Sequence, residues 1–193
     1  RRGCRTERRG ALRGTAMKTL PDYLASGLDI VFVGTNPGAH SARVGHYFAS
    51  PSNRFWPAIN RSGLLTASLD APTDHRCIQQ GIGFTDVVKR PSKSASELRA
   101  ADFRRWAPIL RGKLERFQPL IACFHGMGGY RPYLRYAEEI DLSPRLGLQS
   151  RPIGASKVFV VPNPSPANAA YSLDTLVSWY GRLKDLRDEL KQP

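Results

Sequence analysis

From Leu20 onward, short apolar runs alternate with stretches whose apolar residues recur at helical spacing. The clearest run is Ile30-Val31-Phe32-Val33, which stops abruptly at Gly34-Thr35-Asn36-Pro37-Gly38. Four consecutive apolar residues bounded by turn residues predict a buried strand. Three further strands are predicted over residues 83–88, 119–124 and 157–161. Helices are predicted over 54–61, with Phe55, Trp56 and Ile59 facing the core, and over 74–80, capped by Asp74 and stopped by Gly81. Residues 102–117 place Phe103, Trp106, Leu110, Leu114 and Phe117 on one helical face, and Pro108 is expected to kink that helix or mark its first turn. A helix over about 130–139 follows, and Ser172 caps a last one with Leu173, Leu176, Val177, Tyr180, Leu183 and Leu190 on one face. Residues 40–50 read as a loop. The alternation predicts a single α/β domain over residues 19–193, with a short central parallel four-stranded sheet flanked by helices.

Composition adds a partner class. The net charge is +13, of which residues 1–18 contribute +6 and the remaining residues +7. The body is therefore basic in its own right, which fits a polyanion, nucleic acid foremost. Residues 1–18 read as a flexible basic arm that adds phosphate affinity without sequence preference, although Met17 offers an alternative start. No apolar run approaches the roughly 18 residues of a membrane helix, and no secretory apolar region follows the basic start. Cys4, Cys77 and Cys123 are scattered, with no metal-ligand spacing, so a reducing compartment, cytoplasmic or nuclear, is expected, with no metal and no cofactor.

Candidate chemistry sits where strands end. Pro37 fixes its own φ and pushes Asn36 towards extended geometry, so a polar amide is held on a stiff turn after a buried strand. A second proline-stiffened turn, Pro162-Asn163-Pro164-Ser165, follows the strand at 157–161. In a parallel sheet both turns reach one edge, where open α/β folds place ligands.

These residues carry a resemblance. Gly34-Thr35-Asn36-Pro37-Gly38, then Phe48 and Pro51-Ser52-Asn53-Arg54-Phe55-Trp56, resemble the first motif of the mismatch-specific uracil-DNA and thymine-DNA glycosylases. Residues 81–88, the turn at 162–165 and residues 183–190 are similar to later blocks of that family. The resemblance implies an enzyme that flips uracil, with mismatched thymine as a second candidate substrate, out of DNA and hydrolyses its N-glycosidic bond without a cofactor. It implies duplex DNA carrying uracil or a mismatch as partner, with single-stranded DNA as a further one, and a protein acting as a monomer. Phe48 would stack on the flipped base, Thr35 would hydrogen-bond it, and Ser41 would contact base or phosphate. Asn36 would position the attacking water; a neutral amide cannot serve as a general base.

Two departures stand out. The family usually carries Asn or Lys where this chain has Asp86, so a carboxylate is expected either to share in catalysis or to pair on the surface with Lys89 or Arg90. Beyond Asn163 and Ser165, where relatives carry Gly-Leu and an Arg, this chain has Pro166, Ala167 and Ala169. The residues that fill the gap left by the flipped base are thereby blunted, and Tyr171 is the substitute wedge. Arg43, Lys89 and Arg90 are the expected phosphate contacts. A binding-only module is the alternative reading. A nucleotide site at Gly126-Met127-Gly128-Gly129 ranks low, because no full phosphate-binding fingerprint surrounds it.

Overall fold

Residues 18–192 are described by a computed structural model; the expected basic arm, apart from Lys18, lies outside them. Ile30–Gly34 (β1) runs parallel to Ile82–Asp86 (β2) on one side and to Ile121–His125 (β3) on the other. Lys157–Val161 (β5) continues the sheet parallel to β3, and the two-residue Gly147–Leu148 (β4) closes that edge antiparallel, giving the order β2-β1-β3-β5-β4. The sheet thus has a fifth strand beyond the four expected. Two residues are too few to leave a periodic signal in the sequence.

The apolar runs are explained by burial on both faces. Ile30 and Phe32 enter one core with Phe55 and Ile59 of Phe55–Arg61 (α2) and Leu176, Tyr180 and Leu183 of Leu173–Leu190 (α5). Val31 and Val33 enter the other with Phe103, Leu110 and Leu114 of Ala100–Phe117 (α3) and Tyr133 and Leu134 of Met127–Ala137 (α4). Pro108 lies inside α3 rather than at its start. It is exposed, as is Arg104 one turn earlier, so the carbonyl freed by the missing N–H faces solvent.

Other differences are local. Part of the expected loop is a six-residue helix, Ala39–Val44 (α1), closed by Gly45 in the left-handed region. The expected cap at Asp74 is instead Asp70, whose side chain accepts from Thr73 N and opens a 3-10 helix, Ala71–Gln80. Asp74 is fully buried and serves the site described below.

Before β1, Tyr23 forms an antiparallel bridge to Phe84 of β2 through two backbone hydrogen bonds of 2.9 and 3.1 Å. Gly83 makes this approach possible: a Cβ there would stand 2.2 Å from the Tyr23 carbonyl oxygen. Gly83→Ala is expected to destabilise the fold by roughly 3 kcal/mol or more, about 6–12 °C in Tm for a domain of this size. An unchanged melting temperature by scanning calorimetry would mean that the segment lifts away without cost. The bridge matters for function because it delivers Asp22 to the end of β2.

Candidate active site

The C-terminal ends of the four parallel strands share one edge, as the register Gly34↔Asp86 and His125↔Val161 requires. The chain leaves β1 for β2 on one side and later returns to β3 on the other, so the crevice opens at the point where the winding reverses. A cavity of about 690 Å³ occupies it. Its walls include Thr35 and Asn36 after β1, Ser41 and Phe48 beyond them, Asp86 at the end of β2, and Asn163, Ser165, Pro166 and Ala167 after β5.

Asn36 is fixed by its neighbours. Its Nδ2 donates to Arg90 O (2.9 Å) and to Ser92 Oγ (2.8 Å). A carbonyl can only accept, so these bonds identify the nitrogen and leave Oδ1 as the free end of the amide. That end can accept a hydrogen bond from a water molecule. Thr35 is tied through its carbonyl to Val88 N (3.0 Å), and its hydroxyl lies against Gly129 of α4. Ser41 is buried, and its hydroxyl accepts from Ala49 N (3.1 Å), so its first task is to shape the turn that carries Phe48.

Phe48 has φ of +53°, a conformation that costs a residue with a Cβ about 1 kcal/mol or more. The neighbours hold it there. The buried Asp74 accepts from Tyr47 N (2.7 Å) and from His46 Nδ1 (3.1 Å), while Trp56 Nε1 donates to Tyr47 O (3.1 Å). The Phe48 ring stacks on Phe55 with centroids 4.0 Å apart. A rigid aromatic plate therefore stands at the cavity wall.

Asp86 is 4% exposed, and its Oδ2 has no hydrogen-bond partner among the described residues. Burial pushes its carboxyl up to about 6, opposed by the nearby Lys89 ammonium. The Asp86 backbone pairs with Gly34, where a Cβ would meet Oδ1 at 2.5 Å; glycine is what leaves room for the carboxylate. A group with this titration is mostly ionised at neutral pH yet still basic enough to take a proton.

The expected phosphate contacts need correction. Lys89 is buried, with its Nζ 2.8 Å from Asp22 Oδ1 and 3.5 Å from Asp86 Oδ2, so it faces inward and cannot meet a phosphate. Its charge suggested exposure; two carboxylates compensate its burial instead. Arg90 is committed to Asp102 through Nε (2.9 Å) and Nη2 (2.8 Å). Arg43 is exposed and is not part of the cavity lining; it donates to Nδ1 of His40 (3.0 Å), which does line the cavity. Tyr171 is half-buried outside the cavity lining, its carbonyl accepting from Arg54.

Two residues were missed. Arg54 caps α2 and spreads its guanidinium across the last loop, donating to the carbonyls of Pro164, Ser165 (2.8 Å), Asn168 (2.9 Å) and Tyr171. The loop is further set by Asn163 Oδ1, which accepts from Ser165 N (2.9 Å). His125, at the end of β3, lines the cavity and shares a hydrogen bond of 3.0 Å between Nε2 and the Tyr180 hydroxyl. Burial holds its imidazole down to about 3, so it is a neutral wall and not an acid. Arg54 lies within the block quoted above and His125 ends a predicted strand, but nothing in the local sequence announces partners more than 50 residues away.

The sequence profile of the Uracil DNA glycosylase superfamily matches residues 21–187. A G/U mismatch-specific uracil DNA glycosylase of Schizosaccharomyces pombe is 33% identical over 161 residues, covering 81% of this chain and 50% of that protein. The chain thus spans half the length of that relative. A solution NMR structure of a candidate uracil DNA glycosylase from Methanosarcina acetivorans superposes with a TM-score of 0.58 at 19% identity, covering 91% of this chain and 99% of that one. At that identity the likeness concerns the fold.

Proposed function

The chain belongs to the uracil DNA glycosylase superfamily, and from that premise we propose that it excises uracil from DNA by hydrolysing the N-glycosidic bond. The observation that carries this reading is the convergence of Asn36, Phe48 and Asp86 on one cavity at the sheet edge. Duplex DNA is the partner, and the target base must leave the stack to reach such a cavity. In this reading Phe48 stacks on the flipped pyrimidine and Asn36 Oδ1 orients a water at the deoxyribose C1′. The C1′–N1 bond breaks, the base departs with the bonding electrons, and the sugar gains positive charge. Asp86 stabilises that charge and takes a proton from the water as its oxygen bonds to C1′. An abasic site and the uracil N1 anion result; the anion takes up a proton from solvent and Asp86 gives its own back, leaving free uracil and a carboxylate ready for the next turnover.

Excess protein incubated with a uracil-containing duplex in EDTA is expected to leave alkali-sensitive sites at uracil. Asn36→Ala should slow their appearance by about a hundredfold, the scale of losing one oriented polar group at a reacting centre. Uncut strands with the wild-type protein would instead support a module that binds lesions without chemistry.

Specificity for the opposite base follows from the last loop. Pro166 and Ala167 are exposed at the cavity rim, and neither reaches far: proline offers no N–H and alanine little volume. Excision should therefore differ less between U·G, U·A and single-stranded uracil than in relatives bearing a larger wedge and an arginine. A strong preference for U·G, equal to that of such relatives, would contradict this account of the loop.

A further inference from the structure

Lys89 is an unusual residue to find beneath a cavity wall. It is 8% exposed, and its Nζ reaches two carboxylates that lie on different segments. With Asp22 it forms a close ion pair of 2.8 Å; with Asp86 it stops at 3.5 Å, beyond a good hydrogen bond. Asp22 also has other donors: Lys113 Nζ at 2.5 Å on Oδ2 and Thr85 Oγ1 at 2.8 Å on Oδ1. The backbone of the segment is pinned too, since Thr19 Oγ1 donates to Lys89 O at 2.6 Å.

We propose that Lys89 is a shared cation that keeps Asp86 available as a carboxylate, and that Asp22 sets how much of the Lys89 charge Asp86 receives. This rests on the reading of Asp86 as part of the reaction. A buried lysine with a purely structural role would be satisfied by Asp22 alone. Here the same ammonium lies between a carboxylate with ample partners and one with an orphan oxygen. Lys89 and Asp22 are positioning residues: neither lines the cavity.

The other groups around Asp86 do not supply the charge. Tyr47, from the loop after α1, stands beside the carboxylate with its hydroxyl donating to Pro21 O (3.0 Å). His125 from β3 is neutral. Lys113 from α3 is bound to Asp22, and Arg90 beyond Lys89 is bound to Asp102. His46 and Tyr23 turn to Asp74. The signs follow directly. Removing the Lys89 charge makes ionised Asp86 harder to form, so the acid limb of activity moves to higher pH. Neutralising Asp22 removes a repelling charge and releases Lys89 towards Asp86, so the limb moves to lower pH.

The test is the pH dependence of single-turnover uracil excision by the full chain. Lys89→Met is expected to raise the acid limb by about one pH unit, Asp22→Asn to lower it by a comparable amount, and Lys89→Arg to return it towards wild type. Limbs that coincide, or that move in the same direction, would overturn the proposal. If Lys89→Met fails to fold by circular dichroism, Asp22→Asn decides: a downward shift supports the pair and an unmoved limb refutes it. Asp86→Asn separates the two readings. If it excises at the wild-type rate, the role of Asp86 itself fails; if it is slow while the limbs stay fixed, only the shared-cation proposal fails.

Discussion

Asp86→Asn is expected to slow single-turnover excision by about 10²–10⁴-fold, the usual contribution of a general base, without unfolding the protein. The isosteric amide fits the space beside Gly34 but can neither take a proton nor carry charge. Stability should move the other way. Burial pushes the folded-state carboxyl up from its ordinary value of 3.8 to about 6. A raised value means that the folded protein holds the proton more tightly. The associated stability is therefore full below about pH 4 and lost as pH rises through 6. At neutral pH the ionised group costs on the order of 3 kcal/mol. Asp86→Asn should melt no lower than wild type at pH 7, and its advantage should disappear in acid. A variant that is slow because it is misfolded would melt lower at pH 7, which distinguishes the two cases. Asp86 is thus expected to trade stability for reactivity.

The second large effect is Arg54→Ala. Four carbonyls of the last loop accept from this one guanidinium. Hydrogen bonds to a charged group are individually worth about 1.5–3 kcal/mol, and the carbonyls left behind are half-buried. A loss of about 2–4 kcal/mol is expected from calorimetry, together with at least a tenfold loss of excision as the loop lets go of the cavity rim. Arg54→Lys should recover little, because a single ammonium cannot span the fan of acceptors. Arg61→Ala provides the contrast. Its partner Asp174 is 82% exposed at the side chain and Arg61 itself 53%, so the change should fall within about 0.5 kcal/mol. Equal effects at the two arginines would mean that the loop is not held by Arg54.

Much of the fold was legible because burial on both faces forces apolar runs such as Ile30–Val33, and because the helices between them keep strong periodicity. What escaped was short or non-local. Gly147–Leu148 is too brief to show a pattern, and Ala39–Val44 is helical because Ser41 and Ala42 pack inward. The site was legible in part. Asn36, Phe48 and Asp86 were singled out from the strand end, the resemblance and an unexpected carboxylate, and one cavity brings them together. The orientation of Asn36 was not legible, because it depends on Arg90 and Ser92, more than 50 residues onward. Lys89 was misplaced for a related reason. A lysine after a strand normally reaches solvent, and only the Tyr23–Phe84 bridge brings Asp22 close enough to hold it inside.

Release of free uracil from a U·G duplex by excess wild-type protein, followed as a first-order process from pH 5 to pH 8, bears most directly on the whole account. The expected result is a rate that is nearly constant above neutrality and falls about tenfold per unit below the Asp86 titration near 6. Intact N-glycosidic bonds at every pH, or release that ignores acid throughout this range, would contradict it.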